Sequence, residues 1–218
     1  MFVSLRTISI PSRRESECGQ LVAALREAVG RLSGVQKSWI AEAIPATSLN
    51  AGQIVWRMQF ANERDALCAP LLPGWRETIA PLLEDTQLSG VGYRVTHSAG
   101  TRSGRGIWRA LIFRIAPHGF PDSVRQLEAG LLLFPKYIKT IRSWALSTVA
   151  TVEGTKAFTH VWEQEFDSID GFTGEYMQHP LHWGLIDSYF DAESSQYIAD
   201  PYLVQVVGDI DGPIITTD

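Results

Sequence analysis

The chain has 218 residues, 45% hydrophobic, 10% aromatic and 20% charged, a globular composition that excludes disorder, collagen and coiled coil. Its 19 basic and 24 acidic residues give a formal charge of −5 with no basic block, which argues against a nucleic-acid partner. Cys18 and Cys68 are too few for a zinc cage or a disulfide framework, no apolar run approaches the roughly 20 residues of a membrane span, and Arg6 interrupts the N-terminal apolar stretch as no signal peptide would. The expectation is a cytoplasmic protein without metal, cofactor, nucleic-acid or membrane partner.

In chain order, Phe2–Ile10 reads as a strand, and Ser12 with Glu15 forms an S-x-x-E capping box that should open a helix. That helix carries Leu21, Leu25, Ala28 and Leu32 on one face and stops at Gly34. Val35–Ile44 is a second strand, and Ile54, Trp56, Met58 and Phe60 alternate along a third. A broken helical region, Glu63–Ala69 and Trp75–Glu84, precedes a short strand Gly92–Thr96. The polar run His97–Arg105 reads as a linker. Beyond it come a strand Ile107–Ile115 and a helix with Val124, Leu127, Leu131 and Phe134 on one face, ended by Pro135. Strands Ile141–Val149 and Ala157–Phe166, helical Ile169–Met177 and Leu181–Phe190, and a strand Tyr202–Val207 complete the chain.

The same order, β-α-β-β-α-β, thus occurs twice, and it is the ferredoxin-like arrangement. Rare residues repeat with it at an offset of about 105 positions: Ser38-Trp39 recurs as Ser143-Trp144, and Val55-Trp56 as Val161-Trp162. The pattern predicts an α+β protein of two fused ferredoxin-like units, 1–97 and 107–218 joined by 98–106. Each four-stranded sheet with its helices on one side leaves a bare face. The strand Ile107–Ile115 is apolar on both parities, as in sheets buried on both faces. Two bare faces packed together would make an intramolecular pseudo-dimeric barrel, a shape compatible with further homo-oligomers.

Chemistry concentrates in Glu175-Tyr176-Met177-Gln178-His179-Pro180-Leu181-His182. Pro180 suits the first position of a new helix, so the break should bring Tyr176, His179 and His182 to one junction. A neutral imidazole beside a phenol is an acid/base pair with an oxyanion donor. The bland alternative makes His182 a bridging histidine and His179 a helix-entry residue. His160 lies on a face with Phe158, Trp162 and Phe166 that is expected to point into the barrel, either as a bonded core histidine or as a pocket residue. First-half counterparts of Tyr176, His179, Pro180 and His182 are Ala69, Leu72, Pro73 and Trp75, so the first half keeps the proline and lacks every titratable member of the motif.

The run Tyr176-x-x-His179-Pro180-x-His182, after a strand ending Glu165-Phe166-Asp167, resembles the stress-responsive A/B barrel (Dabb) family of dimeric α/β barrels. The resemblance covers the second half well and the first only in layout. It implies a ferredoxin-like barrel. One plant member is a polyketide cyclase that closes an alkylresorcylic acid ring by aldol condensation with a Tyr and a His of this motif. By that resemblance His182 is the general base and Tyr176 orients or polarises the substrate, while Arg109 stands where the cyclase has a first-strand histidine. The expectation is therefore a cofactor-free enzyme for a small hydrophobic, aromatic or polyketide-like molecule, of cyclase, lyase or isomerase type. His182 and Tyr176 would be catalytic, and His179, His160, Phe158, Trp162, Phe166 and Arg109 would bind substrate. Two other readings stay open: a non-catalytic stress-responsive or ligand-binding barrel, and a cofactor-free or haem-linked oxygenase.

Overall fold

A computed structural model describes residues 1–100 and 104–215. The first half runs β1 (Phe2–Ser9), α1 (Cys18–Val29), β2 (Val35–Glu42), β3 (Ile54–Phe60), α2 (Glu63–Cys68), α3 (Pro73–Thr78) and β4 (Gln87–Gly100). The second runs β5 (Gly106–Phe113), α4 (Pro121–Leu131), α5 (Phe134–Tyr137), β6 (Ile141–Glu153), β7 (His160–Phe166), the helical turns Gly171–Tyr176, His182–Ile186 and Asp187–Tyr189, and β8 (Val204–Ile210). All eight strands form one antiparallel sheet in the order β2-β3-β1-β4-β6-β7-β5-β8. Each half supplies four neighbouring strands, and the expected α+β architecture of two ferredoxin-like units making one barrel is what the chain adopts.

The barrel has two unlike seams. At the first, β4 and β6 pair from Gly90↔Glu153 to Gly100↔Ser143. At the second, β2 and β8 form no ladder among the described residues, and the backbone bonds come from the segment after β2. There Ile44 N–H donates to Val207 O at 2.8 Å, and Leu49 and Gln205 exchange backbone bonds of 2.8 and 2.9 Å. A cleft of about 530 Å³, bordered by Trp39, Lys37 and Pro213, remains beside β2.

Period-two alternation sorts side chains between the barrel and the helices. Val3, Leu5, Val55, Trp108, Ala110, Val161 and Val206 fill the barrel. Trp56, Met58 and Phe60 lie under the first-half helices, and Phe113, Trp162 and Phe166 under those of the second half. At the barrel axis the buried Arg57 Nε donates to Glu163 Oε1 at 2.7 Å, and Trp108 Nε1 donates to the same oxygen at 3.0 Å. Burial alone would lower the Arg57 guanidinium, but the Glu163 carboxylate outweighs it and holds it above its ordinary value. Glu165 Oε1 accepts the backbone N–H of both Ile214 and Ile215 at 2.7 Å, tying the segment after β8 into the barrel mouth.

Four expectations from the sequence need correction. Ser12 and Glu15 form no capping box: Pro11 precedes a 3-10 turn over Ser12–Glu17 that no side chain caps, and the α-helix begins at Cys18. The run read as a linker is strand through Gly100, because β6 offers it a partner edge; the part at 101–103 lies outside the described residues. Trp39 and Trp144 are not equivalent, since Trp39 packs on Trp108 inside the barrel and Trp144 on Trp162 beneath the helices. Finally, the face of β7 carrying His160, Trp162 and Phe166 points to the helices, and only Phe158 sits with the barrel residues.

Candidate active site

The motif run folds as two π-helical turns, Gly171–Tyr176 and His182–Ile186, with Pro180 between them. Such wide turns interrupt α-helices mostly at functional positions. Here they set Tyr176 and His182 side by side, ring centroids 5.3 Å apart and nearly perpendicular. Tyr176 is buried against Phe134, Phe166 and Phe172, at centroid distances of 4.9, 5.6 and 5.8 Å. His182 reaches the surface with 15% of its side chain exposed.

The imidazole is held by Asp187, one and a half turns on, with Nδ1 3.3 Å from Oδ1. A carboxylate at this nitrogen favours the tautomer with the proton on Nδ1 and the lone pair on Nε2, the form a general base needs. Burial pulls the His182 pKa below its ordinary value, Asp187 pulls back against it, and the charge of Arg109 adds to the lowering. The neutral ring is therefore the resident state at pH 7.

Under both rings lies a polar row on adjacent strands: Gln164 on β7, Arg109 on β5 and Gln205 on β8. Arg109 Nε and Nη2 donate to Gln205 Oε1 at 3.0 and 2.7 Å, and Nη1 donates to Gln164 Oε1 at 2.6 Å and to Tyr176 Oη at 3.2 Å. The guanidinium also faces the Phe172 and Tyr176 rings at 5.3 and 5.1 Å. Burial draws its pKa down, opposed by Tyr176. Among the described residues no carboxylate pairs with Arg109, whereas Arg57 has Glu163. Two further buried donors on this face, Gln164 Nε2 and Trp162 Nε1, have no acceptor among the described residues. A buried cation flanked by idle donors has the chemistry to receive an anionic oxygen.

The remaining candidates separate from this cluster. His179 Nδ1 accepts the Leu181 N–H at 3.2 Å and so caps the turn that follows it. His160 is tied on both ring nitrogens, Nδ1 to Thr159 Oγ1 at 2.8 Å and Nε2 to Glu128 Oε1 at 3.2 Å, and it stacks on Phe113. Burial lowers its pKa against the pull of Glu128. Trp162 and Phe166 do lie beneath the helices with Tyr176, and Phe158 is on the far side of the sheet. Three residues were missed by sequence reasoning: Gln164, Gln205 and Asp187. Polar Gln164 between Trp162 and Phe166 on one strand face was a readable signal for the first.

The space beneath the second-half helices is filled by Phe134, Phe166, Phe172, Tyr176, Ile186 and Tyr189. Tyr176 is thus enclosed by side chains, and the cluster meets solvent at His182. A haem macrocycle does not fit this packing, and both nitrogens of His160 are engaged. Among the described residues, no group of His, Cys, Asp and Glu is arranged to hold a metal ion, and no helix is long and apolar enough to cross a membrane.

Comparison with known proteins agrees with this architecture. An anthrone oxidase-like protein superposes with a TM-score of 0.72 at 11% identity, over 97% of this chain and 92% of its own. A Fusobacterium nucleatum subsp. nucleatum protein provisionally described as a monooxygenase gives 0.63 at 8% identity, covering 97% and 95%. A mutant chlorite dismutase from Candidatus Nitrospira defluvii gives 0.58 at 9%, covering 95% and 90%. At such identities the likeness is one of fold. No curated protein matches the sequence. Residues 107–200, which hold the whole Arg109–Tyr176–His182 cluster, match the model of the Stress responsive A/B Barrel Domain (Dabb).

Proposed function

We propose that the Arg109–Tyr176–His182 cluster abstracts a proton from a small hydrophobic molecule, aromatic or polyketide-like, that carries an acidic C–H or phenolic O–H conjugated to a carbonyl. The observation behind this reading is Arg109, a buried cation without a carboxylate partner, bonded to the Tyr176 hydroxyl and to Gln164, whose amide N–H is idle. An unpaired buried charge costs several kcal/mol by order of magnitude, and an anionic ligand offsets that cost.

In this mechanism Nε2 of neutral His182 takes the proton, and Asp187 stabilises the imidazolium that forms. The enolate or phenolate oxygen is received by Tyr176 O–H, Arg109 and the Gln164 amide, donors in place before charge develops. Aldol-type ring closure, lyase cleavage and isomerisation all pass through such an anion. A second reading, cofactor-free monooxygenation, shares the first step and hands the electron-rich anion to dioxygen. Neighbours described as anthrone oxidase-like and as a monooxygenase favour keeping it.

The test is hydrogen–deuterium exchange at the acidic position of aromatic β-diketones and hydroxyaryl ketones, followed by NMR, with oxygen uptake recorded alongside. His182→Ala should abolish exchange and leave binding, read by tryptophan quenching, intact. Exchange that persists in His182→Ala removes the base assignment; tight binding without exchange in the wild type makes the barrel a ligand carrier. Oxygen consumption with the same compounds selects the second reading.

A further inference from the structure

The two halves meet at the barrel axis through residues that are counterparts of each other. Val55-Trp56 and Val161-Trp162 align the halves, which makes Arg57 on β3 the counterpart of Glu163 on β7. The strand registers agree: Leu5↔Arg57 and Trp39↔Arg57 in the first half match Ala110↔Glu163 and Ala145↔Glu163 in the second. Counterparts that touch must straddle the pseudo-twofold axis, and these two touch at 2.7 Å, both buried. Two copies of the first half would place guanidinium on guanidinium at this point. Two copies of the second would place carboxylate on carboxylate.

Side-chain size follows the same division. Trp39 corresponds to Ala145 by the registers just given. Val3↔Tyr93 and Trp108↔Gly208 make Tyr93 the counterpart of Gly208. A Cβ built on Gly208 would lie 2.9 Å from Trp39 Cη2 and 3.4 Å from Ala41 Cβ, so the indole occupies the space that a side chain there would need. Tyr93 and Ala145 lie together in the same barrel core. The first half therefore carries both large residues, Trp39 and Tyr93, and the second both small ones, Ala145 and Gly208. Pairing the first half with itself would drive Trp39 against Tyr93 at each seam; pairing the second with itself would leave both seams hollow.

We infer that the two halves are mutually exclusive partners: charge at the axis and size at the seams permit the first half to pair only with a second half, and forbid either from pairing with its own kind. The partner surface of each half is the inner face of its sheet. Its only fitting occupant is the unlike half, from the same chain or, by exchange, from another copy. Covalent fusion then supplies that partner at high effective concentration.

Two cycles in the full-length chain test this. Gly208→Tyr gives the second half the large residue of the first and should lower the thermal midpoint by about 10 °C or drive the chain into aggregates. Adding Trp39→Ala removes the indole that occupies the space over Gly208, giving the second seam the Tyr and Ala composition of the first, and should recover at least half of that loss. Glu163→Gln keeps acceptors for Arg57 and Trp108, whereas Glu163→Arg reproduces the charge of first-half self-pairing, so Glu163→Arg should lower the midpoint well beyond Glu163→Gln. A Gly208→Tyr protein as stable as wild type, a double variant no better than Gly208→Tyr, or equal midpoints for Glu163→Arg and Glu163→Gln would each overturn the inference.

Discussion

Where the second half places Tyr176 and His182, the first half places Ala69 and Trp75, and beneath them Ser4 and Met58 stand for Arg109 and Gln164. In the first half Trp75 stacks on Trp56 at 5.3 Å and 4°, and Trp56 Nε1 donates to Ser38 Oγ at 3.0 Å. Its counterpart Trp162 has no such plate above it and no acceptor for its N–H. One backbone thus supports two solutions. The first half stacks Trp75 on Trp56 and pairs the Trp56 N–H, leaving Tyr93 Oη in the barrel as its buried side-chain atom without a partner among the described residues; the second carries a cation without a carboxylate and two idle donors in the corresponding position. A stability role alone does not explain that arrangement, and the difference supports the proposal that places the chemistry in the second half.

Four measurements break or sharpen this contrast. The largest effect is expected at the imidazole: His182→Ala should slow proton exchange by about 10²–10⁴-fold, while Trp75→Ala should cost about 3–5 kcal/mol of stability without touching chemistry. Turnover loss in Trp75→Ala beyond that of a destabilised control would move the site. Next come the two buried arginines. Arg57→Met strands Glu163 in the barrel and should destabilise by about 3–5 kcal/mol, whereas Arg109→Met strands only uncharged groups, the amides of Gln164 and Gln205 and the Tyr176 hydroxyl, costs about 1–2 kcal/mol, and abolishes binding of anionic ligands. Denaturant titration of both variants decides.

Third, the depressed pKa of His182 predicts activity that is full at neutral pH and falls as acid protonates the ring. Asp187→Asn removes the contact that pulls this pKa up, so the acid limb should move to lower pH. Stability follows the same sign. The unfolded imidazoles of His160 and His182 bind protons from about pH 6.5 downward, the folded ones only below that, so stability declines across the window between the two. Flat stability through this window would place both rings in solvent. The smallest effect is expected at Phe158→Leu, which lies on the barrel side and should change exchange rates by less than about twofold.

Much of this was legible in the chain itself. The Trp56/Trp162 repeat, the strand order and the Tyr176/His182 adjacency follow from periodicity and from the break at Pro180. What misled was parity. A one-residue slip moves a side chain to the opposite face of a sheet, and the offset between the halves changes from 105 on β1 and β5 to 106 on β2 and β6, where Val35/Lys37 and Ile141/Ser143 carry the same bulge. Hence Trp39 and Trp144, 105 residues apart, look like counterparts and are not. Arg57 passed unnoticed because an arginine amid Val55, Trp56 and Met58 reads as the exposed member of an alternating strand. Only its own counterpart, more than a hundred residues away, makes it an interior residue.

The strand β4 begins within the first half's sheet, paired with β1, and ends zipped along β6 of the second. It therefore has no allegiance to a single lobe. Heating should melt both lobes in one calorimetric peak, because neither can release its share of this ribbon without tearing the other's. A protease working on the native barrel would find there no hinge that yields two surviving fragments.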